Sequence, residues 1–102
     1  MLELRPNCEL CDKDLPADST EANICSYECT FCTSCADKVL NNVCPNCGGG
    51  FSLRPIRPKQ ERRSGVSIEI QPAATKRVHT KYSQDELMEF CHSVKDIAPK
   101  CR

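Results

Sequence analysis

Tryptophan is missing from this chain, and only five of its 102 residues are aromatic: Tyr27, Phe31, Phe51, Tyr82 and Phe90. So little bulky apolar matter cannot fill a large core, and a domain this small is marginal when burial alone must hold it. No apolar run approaches the roughly 20 residues of a membrane-spanning helix, so no membrane contact is expected. The opening Met1-Leu2-Glu3-Leu4-Arg5-Pro6 has no apolar segment of the kind that drives export, which predicts a cytoplasmic location. Histidine occurs only at His79 and His92, and neither is a favoured ligand. No Ser-His-Asp or Cys-His arrangement is legible, and no glycine-rich phosphate loop follows a strand. A protein without catalysis of its own is expected.

Cysteine is what the chain has in excess. Eight of its ten cysteines fall in the first half, with the gaps C-x2-C-x13-C-x3-C-x2-C-x2-C-x8-C-x2-C from Cys8 to Cys47. In a reducing compartment such density reads as metal rather than disulfide. Eight thiols make two tetrahedral ligand sets for zinc at about 2.3 Å, and the C-x2-C pairs have the spacing of a tight turn gripping one ion. Two zinc ions per chain are therefore expected. Iron competes as a substitute, because Cys44-Pro45-Asn46-Cys47-Gly48 is also a turn used around a single iron.

Two pairings of the ligands compete. In an interleaved scheme Cys8, Cys11, Cys32 and Cys35 share one ion, and Cys25, Cys29, Cys44 and Cys47 share the other. In a ribbon scheme Cys8/Cys11 and Cys44/Cys47 clamp one ion while Cys25, Cys29, Cys32 and Cys35 crowd around the second. The interleaved scheme is preferred because each ion takes one local and one distant pair, closing long loops. A third arrangement leaves Cys25 or Cys29 as a buried thiol outside any site. Closed four-thiolate sites hold no open position for water, which argues against metal-assisted hydrolysis.

Three segments follow from composition. Residues 1–53 form the eight-cysteine, two-zinc domain, with a strand in Ile24–Glu28, a helix starting at Thr33 or Ser34 and stopping near Asn41-Asn42, and a short strand at Phe51–Leu53. Residues 54–81 read as a basic extended linker, in which the strict alternation of Val66–Ile70 suits either an edge strand or a disordered segment that becomes a strand only on a partner. Residues 82–102 read as a C-terminal helix: Ser83 and Glu86 make a capping box, and Leu87, Phe90, Cys91, Val94 and Ile97 share one face. That stripe must cover either the cysteine domain or a second protomer, so oligomerisation through the helix is one expectation. Cys91 reads as a small core residue, and Cys101 as an exposed thiol.

Net charge is zero but unevenly placed. Three basic residues stand against eight acidic ones in residues 1–53, and eleven against six in residues 54–102. An acidic head and a basic arm result.

The order and gaps of Cys8 to Cys47 resemble the cross-brace of RING-type zinc domains, with cysteine at all eight positions. This likeness implies a small α+β, treble-clef-like fold. The turns at Cys8–Cys11 and Cys44–Cys47 are similar to the RING turns that help dock a ubiquitin-conjugating enzyme, through Leu10 and Pro45 here. No large aromatic lies between Cys35 and Cys44, and Gly48 stands where many active ligases carry a basic residue, so the likeness is read as one of fold. Closer still, Met1–Cys8, Ile24–Cys32 and Cys44–Gly49 resemble a family of short bacterial proteins known as domain of unknown function 1272. That resemblance spans roughly residues 1–58, extends loosely to Pro72–Val78, and implies a zinc domain without implying an activity.

The expected function is a zinc-binding structural module that mediates protein–protein interaction. One alternative is a ubiquitin-ligase-like adaptor. Another is nucleic-acid binding through Arg54, Arg57, Lys59, Arg62, Arg63, Lys76, Arg77 and Lys81, which would show steep salt dependence. A redox switch built on Cys91 and Cys101 ranks below these.

Overall fold

The computed structural model describes every residue from Met1 to Arg102. Two short strands, β1 (Ala22–Ile24) and β2 (Thr30–Cys32), pair antiparallel, with Ala22 opposite Cys32 and Ile24 opposite Thr30. Between them the chain makes a tight turn, in which Cys25 N–H donates to Cys29 O (3.2 Å) and Glu28 N–H to Cys25 O (3.0 Å). Glu28 closes it in the left-handed region (φ 68°). The alternation over Ile24–Glu28 predicts a strand there, yet the strand ends at Ile24. An extended run would hold Cys25 and Cys29 about 13 Å apart, whereas the turn brings both to one place.

A third strand, β3 (Ser52–Leu53), pairs with the other edge of β1, giving the order β2-β1-β3. All three residues of β2 are buried, and Phe31 meets Phe51 edge to face with centroids 5.3 Å apart. Phe31 joins Leu15, Leu40, Val43 and the cysteines in a single core. Leu10 and Phe51 pack against its edge, while Tyr27 and Leu53 stay exposed.

After β2 comes one π-helical turn, Cys35–Val39, in which Leu40 N–H bonds Cys35 O (2.9 Å). Ser34 sits at its N-cap position without a side-chain cap bond. Asn41 and Asn42 end the turn in the left-handed region (φ 51° and 60°), which asparagine tolerates better than most residues. Asn42 then ties the strand region back, its Oδ1 accepting from Phe51 N–H (2.9 Å).

The basic segment 54–81 contains almost no regular structure, but it lies against the head. The Arg54 guanidinium is buried, donating to the carbonyls of Arg5 (2.8 Å), Leu15 (3.3 Å) and Pro16 (3.0 Å). Arg57 donates to the carbonyls of Leu2 and Gln71. Val66–Ile70 does not extend as its alternation predicts. Gly65 turns the chain (φ 84°), and the Ser67 hydroxyl and carbonyl accept from Ile70 and Gln71 N–H, coiling the segment on itself.

The helix α1 (Gln84–Val94) begins at the expected capping box: Glu86 N–H donates to Ser83 Oγ (3.2 Å), and Ser83 N–H to Glu86 Oε1 (3.1 Å). It ends at Lys95, and a short 3-10 turn, Pro99–Cys101, follows. Leu87 and Cys91 are buried in the core of the head, so the apolar stripe covers the chain's own cysteine domain. Phe90 stays 40% exposed, and Ile97, expected on the same stripe of a helix over residues 82–102, lies beyond the helix end and is 43% exposed. The whole is a small α+β structure: one three-stranded sheet, one α-helix and two clusters of cysteines.

Candidate metal centre

Cys8 and Cys11 flank a turn closed by Asp12 N–H to Cys8 O (2.9 Å), with Asp12 left-handed (φ 66°). Cys32 ends β2, and Cys35 opens the π-helical turn, its N–H donating to Cys32 Sγ (3.5 Å). The four sulfurs of Cys8, Cys11, Cys32 and Cys35 all lie within 4.8 Å of one another. Cys11 Sγ and Cys32 Sγ are 3.8 Å apart. A tetrahedron with metal–sulfur distances of about 2.3 Å has edges of about 3.8 Å, so this pair already stands at ligand separation. A disulfide would need about 2.05 Å, and all ten thiols are free.

The second cluster joins the β1–β2 turn to the turn after Val43. Cys25, Cys44 and Cys47 share the same 4.8 Å limit. Cys29 is buried and does not lie within that limit of all three, and its sulfur accepts from Asn46 Nδ2 at 3.3 Å. Gly48 takes a positive φ (80°), closing the turn through Gly48 N–H to Cys44 O (2.7 Å). Backbone amides of Tyr27 and Gly49 point at Cys25 Sγ (3.3 Å) and Cys47 Sγ (3.4 Å). The chain thus gathers Cys8/Cys11 with Cys32/Cys35, and Cys25 with Cys44/Cys47, while Cys29, expected as the fourth ligand of the second site, stays outside that set.

The electrostatics of these clusters call for a cation. Burial pushes the Cys25 thiol up to about 11 and raises Cys35 as well. Cys44 is raised by sharing its proton with Cys29, and by burial. Cys29 alone is lowered, to about 5, because the Cys44 thiol and Asn46 donate to it against the cost of burial. Crowded thiols cannot all ionise in apolar surroundings, but a bound divalent ion deprotonates them outright. Amides aimed at sulfur spread the remaining negative charge. Both clusters could therefore hold metal ions, with a donor set that suits zinc or iron.

Several site-supporting residues escape the cysteine pattern. Glu9, inside the first turn, is only 2% exposed. Its carboxylate accepts from Thr30 N–H (2.5 Å) and Arg5 Nη1 (2.9 Å), while its own N–H donates to Thr30 O (2.9 Å). Burial raises its carboxyl above the usual range, and Thr30 and Arg5 oppose that rise. The Arg5–Glu9 spacing of four residues is the one clue the sequence offers. Asn7 is fully buried and bonds Val78 in both directions, a contact no local pattern could announce. His79 stands 3.3 Å from Asp12 Oδ1 and is not a member of either cluster. Cys91 is buried against Val43, and Cys101 is exposed.

No helix is long and apolar enough to cross a membrane. The family described as "Protein of unknown function (DUF1272)" matches residues 1–57. An uncharacterized protein of Rhizobium meliloti (strain 1021) is 53% identical over 78 residues, which are 76% of this chain and 86% of that protein. No solved structure matches significantly. The chain belongs to the DUF1272 family.

Proposed function

We propose that this DUF1272 member is a two-zinc structural module of the cytoplasm that presents a surface to a protein partner and carries out no catalysis of its own. The observation that carries the reading is the closure of the first cluster, four sulfurs within 4.8 Å of one another from two distant pairs. Four thiolates complete a tetrahedral zinc shell and leave no position for substrate or water. The interleaved pairing fits a RING-like, treble-clef-like cross-brace. Free thiols throughout suit a reducing compartment. Zinc would supply the folding free energy that the small core lacks, on the order of 10–16 kcal/mol per site.

The partner surface we favour is an open groove of about 510 Å³ where α1 crosses the second cysteine turn. Phe90, Tyr82 and Leu87 give it an apolar floor, and Glu86 and Glu89 an acidic rim. Neither alternative gains comparable support. Pro45, the residue a ligase-like adaptor would offer, is buried beneath α1. Arg54, Arg57 and Arg77, three of the eight cations a phosphate-binding arm would use, are bonded to the head. Native mass spectrometry before and after chelation tests the core claim. Two zinc ions per chain, with ellipticity lost on their removal, are expected; one ion, or none with the fold retained, overturns it. Crosslinking in cells tests the surface, and loss of a crosslinked protein in Phe90→Asp is expected.

A further inference from the structure

The segment from Ala74 to Thr80 runs alongside Leu4 to Glu9 as if it were part of the first cysteine turn. Ala74 N–H donates to Leu4 O (3.0 Å), Val78 N–H to Asn7 Oδ1 (3.1 Å), and Thr80 N–H to Glu9 O (2.7 Å). Asn7 Nδ2 returns a bond to Val78 O (2.9 Å) and also reaches Cys8 O (3.1 Å). Between these bonds Arg77 closes on the turn itself. Its Nε and Nη1 donate to Asp12 Oδ1 (3.0 Å) and Asp14 Oδ1 (2.6 Å), and its Nη2 to Asp12 O (2.6 Å). Asp12 directly follows Cys11, so one side chain fixes the backbone and neutralises the carboxylates beside a ligand.

We propose that residues 74–80 form the outer coordination shell of the first metal site, with Arg77 and the Thr80 amide as the groups that position the Cys8–Cys11 turn and hold its ion. The inference rests on the metal-binding reading above. Its physical ground is charge and geometry together. Four thiolates around a dication carry a net charge of −2, and Asp12 and Asp14 stand next to that charge. Lys13 is paired with Glu21 (2.6 Å), which leaves Arg77 as the cation bonded to both aspartates. Without it, repulsion favours opening of the turn and escape of Cys11, which is exposed. Outer-shell groups of this kind typically hold a ten- to hundredfold share of metal affinity. Coupling is reciprocal, so loss of the first ion also loosens segment 74–80.

The test measures zinc release from the loaded full-length chain to a colorimetric chelator, following two phases. The phase belonging to the first site is assigned with Cys47→Ser, which disables the second. Arg77→Ala is expected to speed the first-site phase roughly tenfold and leave the other unchanged. Arg77→Lys should restore part of the loss, since a single ammonium keeps the charge without the fork. Thr80→Pro, which removes the N–H bonded to Glu9 O and also constrains the backbone at His79 and Thr80, should act in the same direction. Unchanged release in a chain that holds two ions overturns this inference alone, as does an equal acceleration of both phases. A chain that holds no metal overturns the functional reading as well.

Discussion

Cys91 Sγ donates to the carbonyl oxygen of Val43 at 3.6 Å, one residue before the second cysteine turn begins. The helix thereby sits on the strand of chain that leads into Cys44. This contact separates the two cysteines left over from the metal sets. Cys91 is 1% exposed and its thiol is pushed up by burial, so it lacks both the access and the thiolate needed to react. Cys101 lies open to solvent. In the zinc-loaded chain one equivalent of iodoacetamide is expected to label Cys101 alone, read by mass spectrometry. Rapid labelling of Cys91 would mean that α1 does not stay docked.

Leu87 is the bulkiest buried apolar side chain of that helix, at 2% exposure. Replacing it with alanine removes a buried isobutyl group at a site that the helix can relax only by lifting, and the expected cost is about 2–5 kcal/mol. Met88, one position on, is 53% exposed, and Met88→Ala should change stability by less than about 0.5 kcal/mol. Thermal melts of the two variants check the pair. Equal melting temperatures would show that α1 adds nothing to the fold of the head.

Loaded and metal-free chains should respond differently to pH. In the metal-free chain Cys25 titrates near 11 against an ordinary 9.0. Its neutral thiol therefore favours the folded form: that contribution is complete below pH 9 and is lost as pH rises through 11. Cys35 and Cys44 shift the same way, whereas Cys29, lowered to about 5, contributes stability that is present above pH 9 and lost as pH falls through 5. In the loaded chain the ligands are thiolates, protons compete with the ion, and stability is lost as pH falls. Circular dichroism across pH, with and without chelator, should show residual structure fading between pH 9 and 11 when metal is absent, and an acid transition when it is present.

Cysteine spacing located seven of the eight clustered sulfurs it named because C-x2-C geometry is local: the turn that brings two sulfurs together is built from the residues between them, whereas Cys29, in the wider x3 gap, falls outside the second cluster. The capping box at Ser83 and the apolar stripe behind it were legible for the same reason, since both depend on contacts within a turn or two. The strand in Ile24–Glu28 was misplaced because alternation alone cannot register that Cys25 and Cys29 must meet. Val66–Ile70 misled likewise, its β pattern overridden by Gly65 and the Ser67 bonds. The docking of residues 74–80 was invisible, for Asn7 and Val78 are 71 positions apart and neither is unusual in its own neighbourhood. Charge counting placed Arg54 on a solvated arm, where composition would put it, and the fold buries it.

Arg54 carries the last prediction, because its environment is unusual for a cation. The residue is 4% exposed, burial lowers its affinity for a proton, and three carbonyl oxygens rather than a carboxylate receive its guanidinium. Those carbonyls belong to Arg5, Leu15 and Pro16, segments that no strand joins. The side chain therefore acts as a bracket between the N-terminal stretch, the loop before β1 and the end of β3. Truncation in Arg54→Ala would leave buried acceptors unpaired, at about 1–3 kcal/mol for each that water cannot reach. Arg54→Lys should recover little, since one ammonium on a flexible stem cannot span all three acceptors. Lys59→Ala, on the exposed stretch beyond, should be neutral within about 0.5 kcal/mol. Urea unfolding of the zinc-loaded variants distinguishes the cases. If Arg54→Ala were as stable as the parent chain and lost affinity for nucleic acid instead, Arg54 would belong to a phosphate-binding surface and not to the core.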